Sequence, residues 1–155
     1  MKATLMPLEY RKLDIHFQYP DNWTLDEEDA AAGSKSVTVY SPGGAFWTLS
    51  IHPPGTDPAR LSEAALEAMR EEYKEVESEE VHETLAGHDL IGHDLNFYYL
   101  DLTNTAWVRS VQAERATYTI FHQAEDRELK EIEPVLRAMT VSFLSSIKAL
   151  GFWDG

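Results

Sequence analysis

The sequence predicts a single α+β domain built on an antiparallel β-sheet. Several short segments alternate apolar and polar residues, which is typical of half-buried strands. Most of these segments follow one another with only turn residues between them, and two further segments repeat apolar residues every three or four positions. A chain of 155 residues has the usual size of one domain. We expect residues 12–144 to form its core and residues 145–155 a C-terminal tail.

The first strand and hairpin are indicated by alternation and by turn residues. One strand has apolar residues at every second position, namely Leu13, Ile15, Phe17 and Tyr19. Residues 20–22 then form a turn into a short strand at 23–25, and residues 26–33 are expected to form an exposed loop. Strands at 36–41 and 45–52 flank Pro42-Gly43-Gly44, which predicts a hairpin.

Two helices are predicted from their start signals and their periodicity. Asp57 stands at an N-cap position and Pro58 at the first helical position, where its missing N–H costs nothing. The apolar stripe of this helix comprises Leu61, Ala65, Met69, Tyr73 and Val76. A second helix is predicted over residues 125–139, and Pro134 inside it predicts a kink or an irregular first turn.

The segment between the two helices predicts an antiparallel meander. Residues 90–102 read mostly as strand, residues 103–105 as a turn, and residues 106–112 and 116–122 as two further strands. These strands would lie side by side because short turns join them.

Composition excludes several classes of function. The formal net charge of −14 repels nucleic-acid backbones and anionic lipids, so we expect neither as a partner. The chain has no cysteine, which excludes thiol nucleophiles, iron–sulfur clusters and cysteine-based zinc sites. We expect no cofactor. The N-terminal residues lack the apolar core of a signal peptide, and the expected location is the cytoplasm.

Two short motifs resemble those of the PsbP-like superfamily. The segment Phe17-Gln18-Tyr19-Pro20-Asp21-Asn22-Trp23 is similar to the start of that fold, and the segment from Leu129 through Pro134 to Ser142-Phe143 is similar to its closing helix. The superfamily contains an extrinsic subunit of photosystem II, a Ran-binding nuclear-import factor and many uncharacterised bacterial proteins. The resemblance implies an antiparallel sheet sandwiched by helices. It also implies action by binding partners, so no catalytic residues are assigned.

The first candidate site lies on one face of the sheet. Alternation places His16 and His52 on the face opposite the core stripe of their strands. If these strands are neighbours, the two histidines would form a small-ligand or peptide surface with Phe46 and Tyr98. Arg109 is the cation expected in any pocket there. The alternative is that the second helix or solvent covers this face.

Metal binding and hydrolysis are not favoured by the sequence. His88-Asp89-Leu90 is repeated as His93-Asp94-Leu95, but residues five apart on a strand point to opposite faces. We therefore expect no metal site. Serine, histidine and aspartate are all present, but no serine lies in a Gly-x-Ser-x-Gly elbow.

The second candidate site is acidic. Glu71, Glu72, Glu75 and Glu79 belong to a run of glutamates that could steer a basic protein partner. The alternative is a solvated helix followed by an edge strand protected by charge. In the tail, Phe152 and Trp153 could dock on another subunit or on the domain itself.

The favoured function is a non-catalytic protein-binding or assembly domain with an undetermined oligomeric state. The alternative is a small ligand-binding protein or a hydrolase-type enzyme that uses the His16 and His52 face.

Overall fold

The computed structural model describes residues 7–29 and 35–150. In these ranges the chain forms nine strands and two helices, and every pair of neighbouring strands is antiparallel. Their bounds are β1 Pro7–Lys12, β2 Ile15–Pro20, β3 Thr24–Asp29, β4 Lys35–Tyr40, β5 Phe46–His52, α1 Pro58–Glu72, β6 Glu77–Leu85, β7 His88–Tyr99, β8 Leu102–Gln112, β9 Thr117–Glu125 and α2 Asp126–Ser146. No helix in the described part of the chain is long and apolar enough to span a membrane.

The strands form two sheets. The large sheet has the order β3-β4-β5-β9-β8-β7-β6, and β1 and β2 form a separate two-stranded sheet. In the large sheet, β7, β8 and β9 are consecutive hairpin neighbours, as the predicted meander requires, and β6 pairs with β7 at the edge of the sheet. The β4–β5 hairpin also closes as predicted, with the amide of Ser41 donating to the carbonyl of Ala45 at 2.8 Å.

The two helices lie on opposite faces of the large sheet. α1 packs through Leu66 and Met69 on Leu95, Phe97 and Ala106. α2 packs on the other face through an apolar stripe, and the β1–β2 sheet lies beside α2 in the same layer. The predicted α+β sandwich is therefore confirmed.

The main core lies between the large sheet and the layer formed by α2 and β1–β2. Trp47 in β5 is fully buried, and its ring centroid lies 4.8 Å from that of Phe17 in β2. Phe143 of α2 contacts Tyr118 of β9 edge to face at 4.9 Å. The amide of Gln18 donates to the hydroxyl of Ser142 at 2.9 Å, which fixes β2 against α2.

The first helix begins where the sequence predicts. The carboxylate of Asp57 accepts a hydrogen bond of 3.0 Å from the amide of Ala59, and Pro58 occupies the first turn. The second helix extends beyond its predicted end at residue 139 and continues to Ser146, with Pro134 inside it. Its last two turns bury Thr140, Phe143 and Leu144, and this packing explains the continuation.

The structure corrects the sequence prediction in three places. Residues 7–12 form the strand β1, which was not predicted, and β3 continues to Asp29 through residues expected to be a loop. The predicted turn at 103–105 is wrong, because these residues lie in β8 and the chain turns at Leu100 and Asp101.

Candidate functional site

The best candidate for a small-ligand site is a cleft between α2 and the strands β6 to β9. We call it the α2–sheet cleft, and its volume is about 330 Å³. Side chains from five elements meet there, which is typical of a ligand cavity. The lining residues are Glu79, Leu85, Asp94, Asn96, Thr105, Trp107, His122, Leu129, Glu133, Arg137 and Thr140.

The floor of this cleft is an aromatic pair. Trp107 and His122 are directly opposite each other in β8 and β9. Their rings stack with centroids 4.8 Å apart and planes inclined by 8°. The guanidinium of Arg109 lies 4.4 Å from the centre of the Trp107 ring. These contacts hold the indole in one orientation.

Arg109 serves the structure rather than the cleft. The residue is 2% exposed, and its guanidinium forms ion pairs of 2.8 Å with both Glu83 and Asp94. It also donates to the backbone carbonyls of His93 and Val108. Because its donors are already used inside the protein, Arg109 is not the ligand-binding cation that the sequence suggested.

The imidazole of His122 is held in its neutral form. Burial, together with the nearby charge of Arg109, lowers the pKa of His122 to about 3. The residue is 9% exposed, and its Nδ1 has no hydrogen-bond partner among the described residues. A neutral imidazole keeps one nitrogen as an acceptor.

The upper part of the cleft is charged. Glu79 of β6 and Glu133 of α2 are exposed and line the cleft with Asp94. Arg137 lies on the same side of α2 as Glu133, one turn further along the helix. Since Arg109 already balances part of the charge of Asp94, the remaining carboxylates outnumber the guanidinium of Arg137.

The second candidate site is a protruding apolar hairpin. We call residues 98–102 the β7–β8 tip. Tyr98, Tyr99 and Leu100 are 68%, 52% and 76% exposed, and Leu102 is 36% exposed. Tyr98 and Tyr99 are successive residues of β7 and point to opposite faces of the hairpin, and Leu100 lies at its end. Exposed apolar residues clustered in this way often mark an interaction surface.

The predicted acidic residues divide between these two sites. Glu71 and Glu72 end α1 next to Tyr73, whose ring contacts that of Tyr99 edge to face at 5.7 Å. Glu75 lines a shallow pocket with Tyr98. Glu79 instead belongs to β6, the edge strand of the large sheet, and lines the α2–sheet cleft.

The predicted surface around His16 and His52 is not formed. That surface required β2 and β5 to be neighbouring strands, and this condition is not met because they belong to different sheets. His16 lies 3.5 Å from the carboxylate of Glu9, and His52 lies 3.4 Å from the hydroxyl of Thr119. Phe46 does lie on the same face as His52, as predicted, and stacks on Phe121 at 5.8 Å.

The remaining predicted residues are not brought together either. The ring of His88 contacts the Leu144 carbonyl of α2 at 2.8 Å, and the ring of His93 contacts Glu63 of α1 at 3.1 Å. The two histidines therefore point to opposite faces, as their spacing predicted. Within the described ranges, no group of three or more potential ligands could hold a metal ion. Phe152 and Trp153 lie outside the described residues.

Sequence reasoning missed the residues that form the floor and wall of the α2–sheet cleft. Trp107 and His122 were recognised only as strand residues, and Arg137 only as a helix residue. Alternation would have placed Trp107 and Arg109 on one face of β8. Alternation does not give the register between β8 and β9, nor does it give the position of α2 on the sheet.

Comparison with known proteins shows similarity in structure alone. No family model and no curated protein sequence matches the chain. The solution structure of cyanobacterial PsbP (CyanoP) from Synechocystis sp. PCC 6803 matches with a TM-score of 0.61 and 12% identity, and the match covers 91% of this chain and 93% of that one.

Two crystal structures of bacterial proteins are also similar. PA94 from Pseudomonas aeruginosa, a protein of unknown function, has a TM-score of 0.51 and 14% identity over 88% of this chain and 95% of that one. A protein from Bacteroides thetaiotaomicron has a TM-score of 0.53 and 11% identity over 88% of this chain and 45% of that one. At these identities the matches establish the fold and not the activity. The chain therefore has a PsbP-like fold, as the motifs at both ends of its sequence predicted.

Proposed function

We propose that this protein is a binding domain that engages a basic protein partner through the β7–β8 tip. The observation that carries the proposal is the exposure of three consecutive apolar residues, Tyr98, Tyr99 and Leu100, at the end of a long hairpin. Tyrosine is enriched at the centres of protein interfaces because it offers a large rigid surface and a polar hydroxyl.

The backbone of the tip supports this proposal. Leu100 and Asp101 have φ angles of 51° and 63° and connect paired residues Tyr99 and Leu102. A two-residue hairpin turn with both φ angles positive favours glycine and asparagine, and a leucine there is strained. The leucine side chain is 76% exposed and so gains little from packing in the folded chain. Contact with a partner would bury this leucine and so offset the cost of its strained backbone and of its exposed side chain.

The charge around the tip selects the partner. Residues 71–77 contain four glutamates and one lysine, and Asp101 lies in the tip itself. The backbone of Glu77 pairs with that of Asn96, two residues before Tyr98. An apolar centre with an acidic border complements a partner that has an apolar centre and a basic border.

The test is quantitative affinity capture from cells of the source organism with three baits. These are the wild type, Tyr98→Ser, and Tyr40→Ser as the matched control, since Tyr40 is 41% exposed in β4 on the far side of the sheet. We expect a basic protein that the wild type and Tyr40→Ser retain and that Tyr98→Ser loses by roughly tenfold, as for an interface tyrosine. Added salt should reduce its capture.

Equal capture by all three baits would refute the proposal, and so would loss with both variants. If a protein shows the expected pattern, it should be purified and its affinity for each bait measured. Direct binding through the tip predicts a lower affinity for Tyr98→Ser than for the wild type, whereas a protein captured indirectly would show no such difference.

A further inference from the structure

We propose that the α2–sheet cleft binds a small organic cation, an amine or guanidinium compound about the size of an amino acid. This site lies on different elements from the β7–β8 tip, and its ligand does not depend on the proposed protein partner. A cavity of about 330 Å³ has the size of a small-ligand site. It is enclosed on one side by α2 and on the other by four strands.

The hydrogen-bonding groups of the cleft favour a ligand rich in N–H donors. The carboxylates of Glu79 and Glu133 line the cleft. Asp94 and Thr140 line it too, but Asp94 already pairs with Arg109 and the hydroxyl of Thr140 already accepts from the indole of Trp47. Ionised carboxylates only accept hydrogen bonds, whereas an ammonium or guanidinium only donates them. A ligand with several N–H groups would therefore satisfy acceptors from more than one element.

His122 adds a second, independent reason to expect a ligand. It lines the cleft, is 9% exposed, and has an Nδ1 without a partner among the described residues. A polar group buried in this way lowers stability unless it gains a partner. Because Nδ1 has no exposed surface, a ligand in the cleft can donate a hydrogen bond to it only after the ring of His122 rotates against Trp107.

The charge of the cleft favours a cation over an anion. The two ion pairs of Arg109 occupy Glu83 and Asp94, while Glu79 and Glu133 have no cation within ion-pair distance in the described part of the chain. Arg137 is the one cation of the lining, and it lies near Glu133 on α2. An anion bound inside the cleft would lie beside these carboxylates, which repel it.

The experiment titrates the intact chain with agmatine, putrescine and succinate and follows the indole signal of Trp107 by NMR. A Trp107→Phe variant assigns this signal among those of the four tryptophans. We expect both amines to shift the Trp107 signal in a saturable manner and succinate to leave it unchanged. The ring signals of His122 should shift with the same affinity.

Matched variants separate the cleft from general attraction of amines to an acidic chain. Glu133→Gln removes a carboxylate of the cleft, and Glu131→Gln removes an exposed carboxylate of the same helix that does not line it. We expect Glu133→Gln to weaken agmatine binding roughly three- to fivefold, the size expected for a partly exposed ion pair, and Glu131→Gln to leave it unchanged.

Three results would overturn the inference. They are a Trp107 signal that no amine shifts up to the highest soluble concentration, a shift with succinate but not with the amines, and equal weakening by Glu133→Gln and Glu131→Gln. The variants at these exposed positions should fold as the wild type does, and a far-UV spectrum checks this.

Discussion

The indole N–H of Trp47 donates a hydrogen bond of 3.0 Å to the hydroxyl of Thr140, and this bond joins the centre of β5 to α2. Both residues are buried, Trp47 completely. Thr140→Val keeps the shape of the side chain but removes the acceptor. We expect it to lower the free energy of unfolding by about 1–3 kcal/mol, the cost of an unsatisfied buried donor. Urea denaturation measures this, and Thr140→Ser should retain most of the stability.

Removing Arg109 should be more costly. Arg109→Ala would leave a cavity beside Trp107 and two carbonyls without their donor, while Glu83 and Asp94, which are 36% and 42% exposed, would be partly solvated; we expect a loss of about 2–4 kcal/mol. Arg109→Lys keeps the charge, but a lysine cannot reach both carboxylates and two carbonyls at once. The loss of stability should therefore be smaller than for Arg109→Ala but still measurable. The control is Arg127→Ala, because the side chain of Arg127 is 81% exposed. This substitution should change the free energy of unfolding by no more than about 0.5 kcal/mol. Equal stability of Arg109→Ala and the control would contradict the structural role of Arg109.

Local features of the fold could be predicted from the sequence because their causes lie within a few residues. Asp57 caps α1 through its own side chain, and alternation along β5 places Trp47 in the core and Phe46 and His52 on the other face. β1 was missed because its alternation is limited to Leu8 and Tyr10, and of its six residues only Tyr10 is buried. The turn at Leu100 and Asp101 was missed because its first residue is a leucine, which is not typical of such turns.

The candidate sites depend on contacts between distant segments. Alternation states on which face of its own strand a residue lies, but not which strands are neighbours. The surface considered for His16 and His52 depended on such a neighbour relation, and it does not form because β2 pairs with β1 whereas β5 lies in the large sheet. The stack of Trp107 on His122 depends on the register between β8 and β9. The cleft above it depends on how α2 packs on the sheet. No local sequence pattern contains either.

His122 should make stability depend on pH. Its folded pKa of about 3 lies below the unfolded value of about 6.5, so below pH 6.5 the unfolded state binds a proton that the folded state does not. Stability is therefore lost as the pH falls from 6.5 towards 3. Relative to a non-titrating His122→Phe variant, the wild type should lose about 2 kcal/mol between pH 7 and pH 5.

This difference is measured by urea denaturation of both proteins at the two pH values. His82→Phe is the control, because the side chain of His82 is 68% exposed. A constant difference between the wild type and His122→Phe across this range would show that His122 is not held neutral by the fold.

Gly92 should not tolerate a side chain. A Cβ at this position in β7 would overlap the carbonyl oxygen of Val108 in the neighbouring strand β8. Because this obstacle is backbone, relief requires separating two paired strands, and Gly92→Ala should cost several kcal/mol by thermal or urea denaturation. Gly55→Ala is the comparison. It has a φ of 84° but open space around its Cβ, and should cost only about 1 kcal/mol. A smaller loss for Gly92→Ala than for Gly55→Ala would refute the close approach of the strands.

Leu100→Asn should separate stability from binding. Asparagine adopts positive φ more readily than leucine, and Leu100 has a φ of 51° and is 76% exposed. We therefore expect the substitution to raise the free energy of unfolding by about 0.5–1 kcal/mol, measured by urea denaturation. The same change removes apolar surface from the β7–β8 tip and should weaken capture of the partner that Tyr98→Ser loses. A stabilised variant with unchanged capture would show that Leu100 does not contact the partner, and a destabilised variant would show that leucine is not strained in this turn.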